Sequence, residues 1–83
     1  DRISFKHQRP AQSLRKYKEI ERGITRALRT GTQVRVLLFG YFQKQQLIGN
    51  IIEHHKEMEI VLLRSGARLE WVDTRDIIHI EFV

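Results

Sequence analysis

The chain reads as an α+β protein, mainly β: an N-terminal helix followed by a five-stranded, strongly bent antiparallel sheet or small barrel. Two observations carry this. Turn clusters punctuate the second part of the chain at even intervals, at Gln43-Lys44-Gln45, His55-Lys56, Ser65-Gly66 and Asp73-Thr74-Arg75-Asp76, and the segments between them alternate or run apolar over the lengths strands prefer. Ahead of them lies one stretch with a helical repeat, opened by Ser13 and closed by Gly31. A length of 83 residues holds one domain, near the size at which a single core only just outweighs chain entropy.

Residues 1–12 mix polar, basic and isolated apolar side chains around Pro10 and read as an extended arm, with Phe5 a candidate to pin it to the body. The start at Asp1 rather than Met suggests that a preceding residue or segment is missing. The domain then spans 13–83, with the helix over 13–31 and the strands over 33–83. Ser13 is a plausible N-cap, its hydroxyl able to accept from a free amide of the first turn, and Gly31 is the matching stop. Between them Leu14, Tyr17, Ile20, Ile24, Ala27 and Leu28 recur at spacings of three and four, which gathers them into a face about 140° wide.

Val34 to Phe42 is apolar on both faces, so it needs a cover on each side. The next strand, Leu47 to His54, carries Gly49 in an otherwise apolar run, where a missing Cβ permits the sharp bend that a five-stranded barrel requires. Met58, Ile60 and Leu62 alternate with Glu59, Val61 and Leu63, and Ala67, Leu69 and Trp71 alternate with Arg68, Glu70 and Val72. The last strand is expected to point Ile78, Ile80 and Phe82 inward and Ile77, His79 and Glu81 outward. Asp73 to Asp76 suits one 3-10 turn before it. Trp71 and Phe82 read as core.

Charge divides the chain. The first 32 residues carry nine basic and three acidic side chains, a net +6, while residues 33–83 carry six basic and seven acidic, a net −1. Arg15, Lys18, Arg22, Arg26 and Arg29 fall within about 80° on the side of the helix away from its apolar face. Glu19 beside it partly offsets that stripe, which is either a solvated outer face or a surface for DNA or RNA phosphates, with a protein partner or a membrane surface as the remaining readings. No cysteine is present, which removes disulfides and thiolate metal sites and makes a cytoplasmic protein the default. No apolar run approaches the roughly 20 residues of a spanning helix, so no membrane association is expected.

Nothing spells out a chemistry. His54 and His55, flanked by Glu53 and Glu57, are the most tempting metal pair, but neighbouring strand residues point to opposite faces and the imidazoles would not converge. Ser4, Ser13 and Ser65 fall in the arm, at a helix cap and in a turn, and none is marked as held by a base and an orienting acid. The expectation is no catalytic residue, no metal, no cofactor and no small-molecule substrate. Protein binding or self-association is favoured through apolar residues left facing outward: Leu37, Phe39, Val61, Leu63 and Ile77, with Tyr41 and Phe42 at the first hairpin.

The order of basic helix, long first strand, bent glycine strand, two hairpin strands, tight acidic turn and closing strand resembles the Sm-like fold. A more specific resemblance is to the small YolD-like family, through I-x3-I-x2-A-L-x2-G-x2-V at Ile20 to Val34, the G-x-I step at Gly49 to Ile51 and W-V-D-T-R-D-I-I-H-I-E at Trp71 to Glu81. It covers roughly residues 19–82. YolD-like proteins occur beside error-prone Y-family DNA polymerases in bacteria and their phages, so the resemblance implies a non-enzymatic accessory partner in the DNA-damage response. Against the wider Sm-like group, Glu53 and Met58 stand near the place of the Asp and Asn of an RNA pocket, and Thr74-Arg75-Asp76 replaces the Arg-Gly pair, which argues against base binding in the Sm manner.

Overall fold

The computed structural model describes residues 13–40 and 43–83. Helix α1, Leu14–Thr30, is followed by strands β1 (Val34–Leu38), β2 (Gln45–His55), β3 (Ile60–Ser65), β4 (Arg68–Asp73) and β5 (Ile77–Phe82), with a 3-10 turn over Thr74–Asp76. Both expected helix caps form. The Ser13 hydroxyl accepts from the Lys16 amide at 3.1 Å, and Gly31 takes the left-handed conformation (φ 70°) while its N–H donates to the Ala27 carbonyl, so orphan groups at both ends are satisfied locally. The arm at 1–12 lies outside the described residues.

All pairings are antiparallel and the strand order is β4-β3-β2-β1-β5. The sheet does not close into the expected barrel, since β4 and β5 stand at its two ends. It is nevertheless strongly curled. Asp73 and Ile77 are four residue steps apart, about 14 Å of chain at full stretch, whereas the outer strands of a flat five-stranded sheet lie about 19 Å apart. The bend sits in β2, whose first half, Gln45 to Gly49, pairs with β1 while Asn50 onward pairs with β3. Gly49 makes this fit: a Cβ there would lie 2.0 Å from the Arg64 carbonyl oxygen.

Helix α1 packs on the concave side and closes it. Ile20, Ile24 and Ala27 meet Val34, Val36, Leu38, Ile51, Val61, Leu63, Val72 and Ile77 in one buried cluster, with Leu47, Ile80 and Phe82 packed against it. The buried helix face is narrower than expected, because Leu14, Tyr17 and Leu28 remain exposed.

Two register shifts decide which strand residues enter this core. Pairing passes from Leu37–His79 to Leu38–Ile77, leaving Ile78 without an opposite residue, and from Ile51–Leu63 to Glu53–Leu62, leaving Ile52 out. One extra residue reverses the face of everything beyond it. Ile77 is therefore fully buried, contrary to its expected outward position and its role in an interface. Val61 and Leu63, also expected outside, are core. Trp71 is corrected in the opposite direction: it stands across from Leu62 on the convex face and is 57% exposed.

Candidate binding surfaces

The first surface is the outer side of α1. Burying Ile20, Ile24 and Ala27 leaves the Arg15, Lys18, Arg22, Arg26 and Arg29 stripe on the outer side of the helix, with Arg26 at the edge that meets β5, and all five side chains are exposed. The two acids of the helix are engaged elsewhere, Glu19 with Lys16 at 3.9 Å and Glu21 with Lys56 at 3.8 Å. Among the described residues none of the five stripe cations forms an ion pair, and Glu19 and Glu21 beside them offset their field only in part. Arg26 has one fixed contact, its guanidinium carbon lying 4.3 Å from the centroid of the Phe82 ring, a cation–π distance that restrains a long side chain.

Shallow clefts flank the stripe. One, of about 270 Å³, runs between α1 and β5, with Lys16, Glu19, Arg22 and Arg26 on its rim and Gly23, Ile80 and Phe82 among its lining. A second lies over Thr25, between Glu21, Arg22, Arg29 and Lys56, and shares Arg22 and Arg26 with the first. Lys56 comes from the β2–β3 turn and was not foreseen as part of this surface. Its only trace in the sequence is a basic residue in a turn, and nothing local says that the turn reaches the helix.

The second surface is the convex face of the sheet. Leu69 and Trp71, two residues apart on β4, point the same way and are 61% and 57% exposed. Trp71 stands across from Leu62, and its ring lies 5.7 Å from that of His55, tilted by 50°. Met58, in the turn between β2 and β3, is also exposed. Of the residues expected to form a protein interface, Leu37 and Phe39 are half-buried, Ile77 is core, and Tyr41 and Phe42 lie outside the described residues.

The histidine pair separates as strand geometry requires. His54 turns under the helix among Tyr17, Ile20, Glu21, Ile24, Lys56 and Thr74, and its pKa is lowered from the usual value, first by burial and then by Lys56, with Glu21 opposing and His55 adding to the depression. His55 faces outward, its Nε2 at 2.8 Å from Glu53 Oε1. Among the described residues no group of three or more His, Cys, Asp or Glu side chains is placed to hold a metal ion. Ser13 is spent on the helix cap, and the Ser65 hydroxyl donates to the Ile48 carbonyl at 2.8 Å; Ser4 lies outside the described residues. The 3-10 turn is held rigidly, with Arg75 bound to Asp73 at 2.6 and 2.9 Å and to Glu59 at 3.1 Å; these carboxylates hold the guanidinium pKa above its usual value. Among the described residues no helix is long and apolar enough to cross a membrane. No family model, curated protein or solved structure matches the chain.

Proposed function

We propose that this chain is a small non-enzymatic adaptor of the cytoplasm that works by holding a protein partner, or a second copy of itself, on the convex face around Trp71. The observation that carries the reading is the exposure of Trp71 and Leu69 side by side on one sheet face. A large aromatic left in water costs solvation that an apolar contact recovers, and tryptophan is the residue most enriched among energetically dominant interface positions. Strand β4 also ends the sheet, so a partner can add a strand beside it while seating side chains on Trp71. The YolD-like resemblance supplies a candidate setting, an accessory role beside a Y-family DNA polymerase in the DNA-damage response.

Trp71 is the only tryptophan in the chain, so intrinsic fluorescence reports on this face alone. Emission should be that of a solvated indole in dilute protein and shift to the blue, with loss of acrylamide quenching, when the face is occupied. Gel filtration with light scattering, run across a concentration series and with the candidate polymerase, should show association that Trp71→Glu abolishes while the thermal transition stays within about 0.5 kcal/mol of wild type. Association that persists in Trp71→Glu overturns the assignment.

A second reading is favoured by a separate observation, the five stripe cations that find no acid among the described residues. That face is suited to the phosphates of DNA or RNA, with little sequence preference. Binding measured against salt tests it: affinity for a short oligonucleotide should fall steeply as salt rises, and Arg22→Glu with Arg26→Glu should remove it.

A further inference from the structure

The cleft between α1 and β5 adds to the basic face something a phosphate surface does not need. Its rim is cationic, but part of its wall is apolar, formed by Gly23, Ile80 and Phe82. Gly23 is the informative residue. Glycine in a helix interior costs about 1 kcal/mol relative to alanine, yet nothing in the packing demands it here: a Cβ would meet Ile80 at 3.6 Å, an ordinary van der Waals contact. What the missing side chain does is keep the cleft open.

Beside that opening Arg26 is held over Phe82 at 4.3 Å, so a guanidinium and an aromatic ring are kept together where a planar ligand can reach them. The volume, about 270 Å³, sits just under the roughly 300–1,000 Å³ of pockets for drug-sized molecules. It suits one ring system rather than a whole cofactor. A duplex keeps the faces of its bases stacked and presents only phosphates and base edges, whereas a single strand offers unstacked bases together with phosphates, and bases stack on both aromatic rings and guanidinium planes.

We propose that this cleft is a site for single-stranded nucleic acid, one base entering between Gly23 and the Phe82–Arg26 pair while neighbouring phosphates lie on Arg22 and Arg29. The inference rests on the reading of the helix face as a polyanion surface and deepens it from any polyanion to a single strand. Lys56 pairs with Glu21 at 3.8 Å, which offsets the acid beside Arg22 and Arg29. Glu19 on the rim has Lys16 at 3.9 Å, an exposed pair whose opposite charges partly offset each other.

The test uses the full chain, a fluorescein-labelled 15-nucleotide oligothymidylate, a labelled duplex of equal length and, as competitor, a polyglutamate peptide, followed by anisotropy at several salt concentrations. The single strand should bind at least tenfold more tightly than the duplex at equal salt. Gly23→Leu, which fills the cleft from a position where Ile80 tolerates a Cβ, should remove that preference while leaving duplex affinity unchanged. Phe82→Leu, which keeps apolar volume but loses the ring, should weaken the single strand and provides a second arm if Gly23→Leu alters the fold by circular dichroism. Equal binding of strand and duplex, unaffected by either variant, overturns the cleft site and leaves the basic face standing. Absence of salt-sensitive binding to any of the oligonucleotides overturns both, and polyglutamate that competes with the single strand as well as unlabelled oligothymidylate does at equal charge overturns the cleft site, since the peptide has charge but no ring.

Discussion

Gly49 and His54 show how single positions on β2 fix the molecule. At Gly49 the two half-sheets cross so closely that a methyl group would sit 2.0 Å from the Arg64 carbonyl oxygen, and that oxygen belongs to backbone with no free rotation to escape. Gly49→Ala should therefore cost about 3 kcal/mol or more, beyond the usual range for a single inserted carbon, measured by urea denaturation. Gly31→Ala, strained only by its positive φ with open space around it, should cost about 1 kcal/mol; a Gly49→Ala loss no larger than that would refute the close crossing. His54 gives a pH signature. Burial depresses its folded pKa below the unfolded value near 6.5, so the unfolded chain binds the proton more readily. The contribution is complete above the unfolded pKa and is lost as pH falls through the folded one. Denaturation midpoints should thus decline from about pH 7 into the acid range, and His54→Gln should flatten the part of that decline that lies above the carboxylate range. A slope unchanged in His54→Gln assigns the acid sensitivity elsewhere.

At the scale of elements, what could be read from the residues divides by the range of the interaction involved. The caps at Ser13 and Gly31, the turn at Gly66 and the 3-10 turn at Thr74 rest on chemistry within four residues, and each forms where the sequence places it, whereas the turn expected at His55-Lys56 runs over 56–59 and takes Met58 and Glu59 out of the strand expected there. The bend at Gly49 was legible for the same reason. Faces were not. In β4 the alternation offers Leu69 and Trp71 against Glu70 and Val72, and hydrophobicity alone selects the first pair for the core. The structure selects Val72, because pairing with β3 sets it opposite Val61 beneath the helix, while Glu70 reaches the sheet margin to meet Arg68 at 3.3 Å. Ile77 was misplaced for a related reason: the unpaired Ile78 inverts the strand beyond it, and that irregularity exists only in the pairing with β1. The basic stripe was legible from helical periodicity, but its continuation to Lys56 and the cleft against β5 depend on how the helix lies across the sheet.

Across the whole molecule the helix separates the two surfaces. The helix buries Ile20, Ile24 and Ala27 in the cluster that also takes Val72 of β4, so the exposed Arg22 on the helix and the exposed Trp71 on β4 both lie outside that cluster, on different elements. The division of charge follows the same plan, with the net +6 in the first 32 residues and a nearly neutral remainder. If both proposed surfaces are used, two ligands governed by different physics bind at once: an electrostatic one whose affinity scales with released counterions, and an apolar one that salt hardly touches. With up to five phosphate contacts, raising salt from 50 to 200 mM should weaken oligonucleotide binding roughly 10²-fold, while protein association monitored by Trp71 fluorescence stays within about twofold. The two surfaces approach each other at the start of the β2–β3 turn, where Lys56 meets Glu21 and the neighbouring His55 meets Trp71, but Trp71 itself makes no described contact with the stripe cations, so the variants should act independently. Trp71→Glu should leave oligonucleotide affinity unchanged, the Arg22→Glu, Arg26→Glu pair should leave protein association unchanged, and the combined variant should show both losses with no extra term. A loss of oligonucleotide binding in Trp71→Glu alone would mean that both ligands share one surface, and the two-sided arrangement would have to be abandoned.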